Sequence, residues 1–213
     1  MGFSVALTFD AEHPDRVSVD GAAAATVDAL DASGVRATFF LQGRWVQAQK
    51  SLARRILDAG HLIGSHSHYH ARMPLFSPAG FATDVRAAEW AIRQALGVSP
   101  RPWFRFPFGS GANDARLISR LAELGYRHVG WHVEPREWRG RESARSVASA
   151  IVDTTLAHGD GAIVLLHTWP WTVAEALQLA IPRLQAEGAT FVRVDELPLP
   201  AGLEPIADPR PAA

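Results

Sequence analysis

Three histidines in five residues, His66-Ser67-His68-Tyr69-His70, follow a short apolar run at 62–65. Imidazole is the commonest transition-metal ligand, so such a cluster after a strand-like run points to a metal site. Two geometries are open. One helical turn puts His66 and His70 on the same side; an extended chain puts His66, His68 and His70 on one face. A solvated His-rich turn is the bland alternative. Other apolar runs end in further chemistry: Asp10-Ala11-Glu12-His13, Arg105-Phe106-Pro107-Phe108-Gly109, Trp131-His132-Val133-Glu134-Pro135-Arg136-Glu137-Trp138 and His167-Thr168-Trp169. Each has a non-catalytic explanation. Asp10 can form a turn, Arg105 can be solvated, Glu134 and Glu137 can start a helix, and His167 can be a satisfied core histidine. Together they suit metal-assisted hydrolysis. Two histidines and a carboxylate leave a metal position for water, a second carboxylate accepts the water's proton, and a separate histidine protonates the leaving group.

The elements that must position these groups alternate. Strand-like runs are expected at 5–9, 37–41, 62–65, 103–106, 126–131, 162–167 and 190–194, with helical stretches near 22–33, 45–59, 78–96, 113–124, 143–158 and 172–187. Gly34, Gly60, Gly97, Gly125 and Gly188 read as helix stops, Ser77-Pro78 as an N-cap with first-turn proline, and Asn113 as a cap. Without Asn-Gly or Asp-Gly hairpin signals, this pattern implies a parallel sheet. A distorted seven-stranded (β/α) barrel is the natural closure, with a doubly wound open sheet as the alternative. In either, chemistry collects at the carboxyl ends of strands, where the polar clusters lie. One catalytic domain over 1–195 and a Pro-rich C-terminal extension over 196–213 are expected.

The chain has 213 residues, 47% hydrophobic and 20% charged, which suits one globular domain. A net charge of −1 without a basic block argues against nucleic acid and anionic membrane as partners. With no cysteine there is no disulfide, thiolate zinc site or cysteine nucleophile. No apolar run has signal-peptide or transmembrane length, so the sequence as it stands reads as cytoplasmic, or secreted if a leader precedes it. Oligomeric state is not legible.

From Val5 to about Val194 the chain resembles the polysaccharide deacetylases (carbohydrate esterase family 4, the NodB-homology domain). Five ordered family motifs have counterparts here: Thr8-Phe9-Asp10-Ala11-Glu12, His66-Ser67-His68-Tyr69-His70, Arg105-Phe106-Pro107-Phe108-Gly109, Glu134-Pro135-Arg136-Glu137-Trp138 and Leu165-Leu166-His167. The resemblance implies a (β/α)-barrel hydrolase that acts on carbon–nitrogen amide bonds other than peptide bonds. It would release acetate from an acetylated carbohydrate such as chitooligosaccharide, peptidoglycan or xylan, with N-acetyl preferred to O-acetyl. It implies Asp10 as general base, held by Arg105, and His167 as general acid, tuned by Glu137. It implies His66 and His70 as ligands of one divalent ion, zinc first and cobalt, nickel or manganese next. His68 would stand behind them or take no part in binding. The Phe108 backbone N–H would stabilise the oxyanion, and Trp138 and Leu165 would line the acetyl pocket.

The sequence departs from the family pattern at the third ligand. The family's second aspartate falls on Ala11, which cannot bind a metal. Glu12, in an Asp-x-acid spacing, is the replacement, with His13 second. Both fourth-motif acids are Glu in place of Asp. Trp169 and Trp171 are candidate rim residues. Two other functions remain: a metal-independent C–N hydrolase on a small amide, and a sugar-binding pseudoenzyme, against which Asp10, Arg105 and His167 together argue.

Overall fold

The structure is a computed structural model and describes residues 2–13 and 21–198. Seven parallel strands form one sheet: β1 (Phe3–Ala11), β2 (Thr38–Leu41), β3 (Leu62–Ser65), β4 (Trp103–Phe104), β5 (Arg127–His128), β6 (Ala162–His167) and β7 (Ala189–Phe191), in the order β5-β4-β3-β2-β1-β6, with β7 on β1. Val5 pairs with Ala162 of β6 and with Phe191 of β7, and Thr8 pairs with β6 and β2. β7 therefore occupies the β2 edge of β1, ahead of the point where β2 begins. The two ends of the sheet meet through one parallel bridge between Val133 and Val164, where Leu165 N–H donates to Val133 O at 2.8 Å. This contact curls the sheet into the expected distorted barrel and sets aside the open doubly wound sheet.

Alternation along the strands sorts the two faces. Val5, Leu7, Phe9 and Ala11 of β1 and Val164 and Leu166 of β6 pack with helix residues such as Val27, Leu30, Val173 and Leu177. Ala6 instead joins Phe40, Trp103, Val129 and Val194 in a second cluster inside the curl. Asp10 follows Ala6 and Thr8 on that inner face, and His167 follows Ile163 and Leu165.

The connecting helices are α1 (Ala22–Ser33), α2 (Gly43–Ala48), α3 (Lys50–Asp58), α4 (Pro78–Leu96), α5 (Ala115–Glu123), α6 (Ala144–His158) and α7 (Thr172–Ala186). The helix expected near 45–59 is two, because Gln49 leaves helical geometry at φ −119°, ψ 40°. Ser77 caps α4 by accepting from Gly80 N–H. Asp114, not Asn113, caps α5, accepting from Arg116 N–H at 3.0 Å. β4, β5 and β7 are shorter than their apolar runs. Glu196 bonds Arg36, and Leu197 packs on the inner cluster. The remainder of the expected Pro-rich extension, 199–213, lies outside the described residues.

Gly64 in β3 faces Phe40 across the β2–β3 ladder. A Cβ there would sit 2.6 Å from the Phe40 ring and 3.2 Å from Trp103 O. The glycine leaves room for the Phe40 ring against β3, and the Arg105 guanidinium lies 4.2 Å from that ring's centre. Gly64→Ala is therefore expected to act as an overpacking change, lowering unfolding free energy in urea by about 1–3 kcal/mol. An unchanged urea midpoint would show that Phe40 can move aside freely.

Candidate active site

Register brings the first pair of groups together. Asp10 and His167 are Cα partners across β1 and β6 and share the inner face. Arg105 follows β4 and keeps its ladder bond, donating its N–H to Ser65 O at 2.9 Å. Its side chain is fully buried, and every guanidinium nitrogen is used: Nη1 donates to Asp10 Oδ1 at 3.0 Å, Nε to Val129 O and Nη2 to Gly130 O, both at 3.1 Å. Burial lowers the Arg105 pKa, with Asp10 opposing that fall. Asp10 Oδ2 is left facing the site, 3.5 Å from His66 Nε2.

The histidine cluster adopts neither expected geometry. His66 continues the β3 ladder, donating its N–H to Leu41 O at 3.0 Å. Ser67 and His70 then take left-handed backbone angles, φ 62° and 55°, which fold the segment back on itself. Ser67 Oγ accepts from His70 N–H at 2.9 Å, and the buried Asp84 carboxylate of α4 accepts from His68 and Tyr69 N–H, both at 3.0 Å. The result sets the His66 and His70 rings 4.9 Å apart. His68 turns away toward Gly43 and Asp84, and burial lowers its pKa. Asp84 went unread in the sequence, although an acid between Phe81, Val85 and Ala88 on the buried stripe of α4 was a signal for it.

Ala11 belongs to the helix-side core, so the residue that turns inward is Glu12. Its Oε2 lies 3.3 Å from His66 Nε2 and contacts His70 Nε2. Its Oε1 lies 2.9 Å from His13 Nε2 and 3.4 Å from Trp169 Nε1. Burial raises the Glu12 pKa, but hydrogen bonds from His13, His66 and His70 outweigh it and hold the carboxyl well below the usual range. Burial lowers the His66 pKa, yet the charges of Asp10 and Glu12 leave it raised. For His70, burial dominates and the pKa falls.

On the facing wall, His167 Nδ1 meets Glu137 Oε1 at 2.8 Å, and the same oxygen accepts the His167 backbone N–H at 2.7 Å. Glu137 is 1% exposed and opens a 3₁₀ turn, Glu137–Arg139, behind a left-handed Arg136. Burial would lower the His167 pKa, but the hydrogen bond and charge of Glu137, with Glu12 and Asp10 behind, push it up to about 9. Thus the extra methylene of Glu137 still ends on His167.

Asp10, Glu12, His13, His66, His70 and His167 line one cavity of about 310 Å³ together with Phe108, Trp131, Glu134, Trp138, Leu165 and Trp169. Every residue singled out from the sequence as catalytic, metal-binding or substrate-binding sits in its wall except Arg105 and Glu137, which stand behind Asp10 and His167. Phe108 has left-handed backbone angles, φ 58° and ψ 13°. Trp171 is not a wall residue: it precedes α7 and is 60% exposed. Trp131 was missed. It lies 5.6 Å from the Arg105 guanidinium and packs over Gly109, and only the barrel curl brings it inward.

The residues present fit a divalent ion. One oxygen of Glu12 and one nitrogen each of His66 and His70 all lie within 4.8 Å of one another. His66 Nδ1 lies 2.9 Å from Arg105 O, which can only accept, so Nδ1 carries the proton and Nε2 is turned to the site. His70 Nε2 is buried with no hydrogen-bond partner beyond its contact with Glu12. A mixed nitrogen–oxygen set of three suits zinc and its neighbours and leaves room for further ligands. Among the described residues no helix is long and apolar enough to cross a membrane.

Comparison with known proteins agrees with this architecture. A peptidoglycan-N-acetylglucosamine deacetylase of Listeria monocytogenes is 30% identical over 194 residues, 91% of this chain but 38% of that protein, so the chain spans under two fifths of that relative's length. A chitooligosaccharide deacetylase of a Bradyrhizobium species is 34% identical over 165 residues, 77% of this chain and 70% of its own length. Among solved structures, a carbohydrate esterase family 4 pseudoenzyme from Bacillus anthracis superposes with a TM-score of 0.80 at 26% identity, covering 92% of this chain and 65% of that one. The polysaccharide deacetylase family model matches residues 2–129, which carry the inner-face Asp10, the folded histidine loop and the buried Arg105, and the chain belongs to that family.

Proposed function

We propose that the protein is a metal-dependent deacetylase that hydrolyses the N-acetyl amide of an acetylated saccharide of the peptidoglycan or chitooligosaccharide kind and releases acetate. The observation that carries this reading is the placement of two acid–base groups with oppositely charged partners, Asp10 on Arg105 and His167 on Glu137, around the Glu12, His66 and His70 donors. Binding a sugar requires neither a base nor an acid, so this pairing weighs against a pseudoenzyme, and the converging donors weigh against a metal-independent amidase.

Glu12, His66 and His70 would hold one divalent ion, zinc first. Bound there, it would supply Lewis-acid polarisation of the acetyl carbonyl and activation of water. Asp10 acts as the base. Arg105 anchors Oδ1 and leaves Oδ2 aimed into the cavity, ready to take a proton from the attacking water. The Phe108 backbone N–H, at its left-handed turn, donates toward the acetyl carbonyl oxygen as it becomes the oxyanion. His167 is protonated below about pH 9, and with Nδ1 engaged by Glu137 it presents Nε2 to the cavity, where it gives its proton to the departing amine. Leu165, Trp138 and Trp131 give the acetyl methyl an apolar wall, and the Trp138 indole is steadied by its Nε1–H bond to Glu134 at 3.2 Å.

Acetate release from N-acetylated chitooligosaccharide or peptidoglycan fragments tests this directly. Asp10→Asn and His167→Ala should each reduce the rate by about 10²–10⁴-fold with folding intact. Near wild-type turnover in either variant would remove that assignment. Exhaustive chelation should abolish acetate release and zinc should restore it, whereas full activity of metal-free protein would favour the metal-independent amidase.

The pH profile tests the wall opposite Asp10. A raised His167 pKa keeps the acid form loaded until pH climbs through about 9, where the alkaline limb should fall. Removing the neighbouring charge lowers that pKa, so the alkaline limb of Glu137→Gln should move to lower pH. A profile that overlays the wild type would reduce Glu137 to a charge at the start of its turn.

A further inference from the structure

Building on the metal site proposed above, we infer that His13 is a positioning residue for Glu12, and that with Trp169 it makes this carboxylate a one-oxygen ligand. The two Glu12 oxygens have different surroundings. Oε2 faces His66 and His70. Oε1 is held from the other side by His13 Nε2 at 2.9 Å and by the Trp169 indole N–H at 3.4 Å.

His13 is itself held. It has a left-handed φ of 59°, and its backbone N–H donates to the side-chain oxygen of Gln42 at 3.1 Å. Gln42 is 3% exposed and its own N–H donates to Ala11 O at 3.0 Å, which ties the end of β1 to the start of α2. The His13 ring stands edge-on to His70, 5.0 Å between centres, and to Trp169, 6.1 Å. These contacts bring Nε2 to Glu12 Oε1, and the tautomer with the proton on Nε2 donates there.

The physical need for such a clamp follows from Glu12 itself. A glutamate has three side-chain torsions, and ordering a long side chain costs conformational freedom. A free Glu12 could also turn both oxygens to an ion and crowd its open positions. Two donors on Oε1 oppose both outcomes, as hydrogen bonds to ligating carboxylates do elsewhere. His13 thus acts through Glu12, and His167, at 4.0 Å from Oε1, keeps its Nε2 for the substrate side.

The test is zinc affinity, measured by competition with a chromogenic chelator on the whole chain, with apo-protein thermal unfolding as a fold control. Gln places its amide N–H about where His carries Nε2–H, whereas Asn is too short. His13→Ala and His13→Asn should weaken zinc binding by about 10–100-fold, His13→Gln should stay close to wild type, and Trp169→Phe should lose less than His13→Ala. All should unfold as wild type does without metal. Rescue by Gln is a readout that general packing would not give. Wild-type affinity in His13→Ala would overturn the clamp while leaving the metal site standing. Loss in His13→Gln equal to that in His13→Ala would also overturn it, since His13 would then act by direct ligation or by its ring volume. A wild-type chain that binds no zinc would overturn the clamp and the metal-dependent reading together.

Discussion

The buried ion pair between Arg105 and Asp10 is the constraint around which the barrel and its site are organised. A guanidinium with no exposure survives only if it is paired and hydrogen-bonded, and here the pair and its acceptors join three places in the chain. Asp10 belongs to β1, Arg105 follows β4, and the carbonyls of Val129 and Gly130 follow β5. One side chain therefore holds the two walls of the curl at a fixed distance. The Phe40 ring beneath it, admitted by Gly64, and the Trp131 indole beyond it fill the space that water would otherwise claim. Removing either partner would strand a buried charge, at a cost of about 3–5 kcal/mol.

Around that pair, backbone register does most of the positioning. Side chains alternate on parallel strands, so Asp10 and His167, partners in adjacent strands, share the inner face without any special device. Groups that lie past the strand ends need devices of their own. The histidine loop is bent by two left-handed residues and pinned by Asp84 and Ser67. Glu137 reaches His167 from a turn set by a left-handed Arg136. Left-handed angles at non-glycine residues carry a modest energetic cost, and here each lies next to a group that faces the cavity or supports one that does.

Two walls of like shape therefore carry opposite electrostatics. On one, a cation fixes a carboxylate; on the other, a carboxylate raises an imidazole to about pKa 9. Only the first of these carboxylates borders the Glu12, His66 and His70 donors: Asp10 Oδ2 lies 3.5 Å from His66 Nε2, whereas Glu137 stands behind His167.

The family, the seven-run parallel architecture and the list of polar strand ends were legible in the sequence, because strand periodicity and motif order are local properties. Ser77, before Pro78, could be recognised as a cap for the same reason, whereas the neighbouring choice between Asn113 and Asp114 turned on one residue of backbone geometry. Tertiary structure alone decided the rest. Whether Ala11 or Glu12 faced the donors depended on which face of β1 the helices covered. His66 and His70 met through neither a helix nor a strand, since the left-handed Ser67 and His70 bend the loop and Asp84 of the following helix pins it. Closure through Val133 and Val164 sets the neighbouring Trp131 on the cavity wall, whereas Trp171, ahead of α7, is exposed. The sequence specifies which groups are present and in what order. Their distances depend on contacts between segments far apart in the chain, which no local pattern encodes.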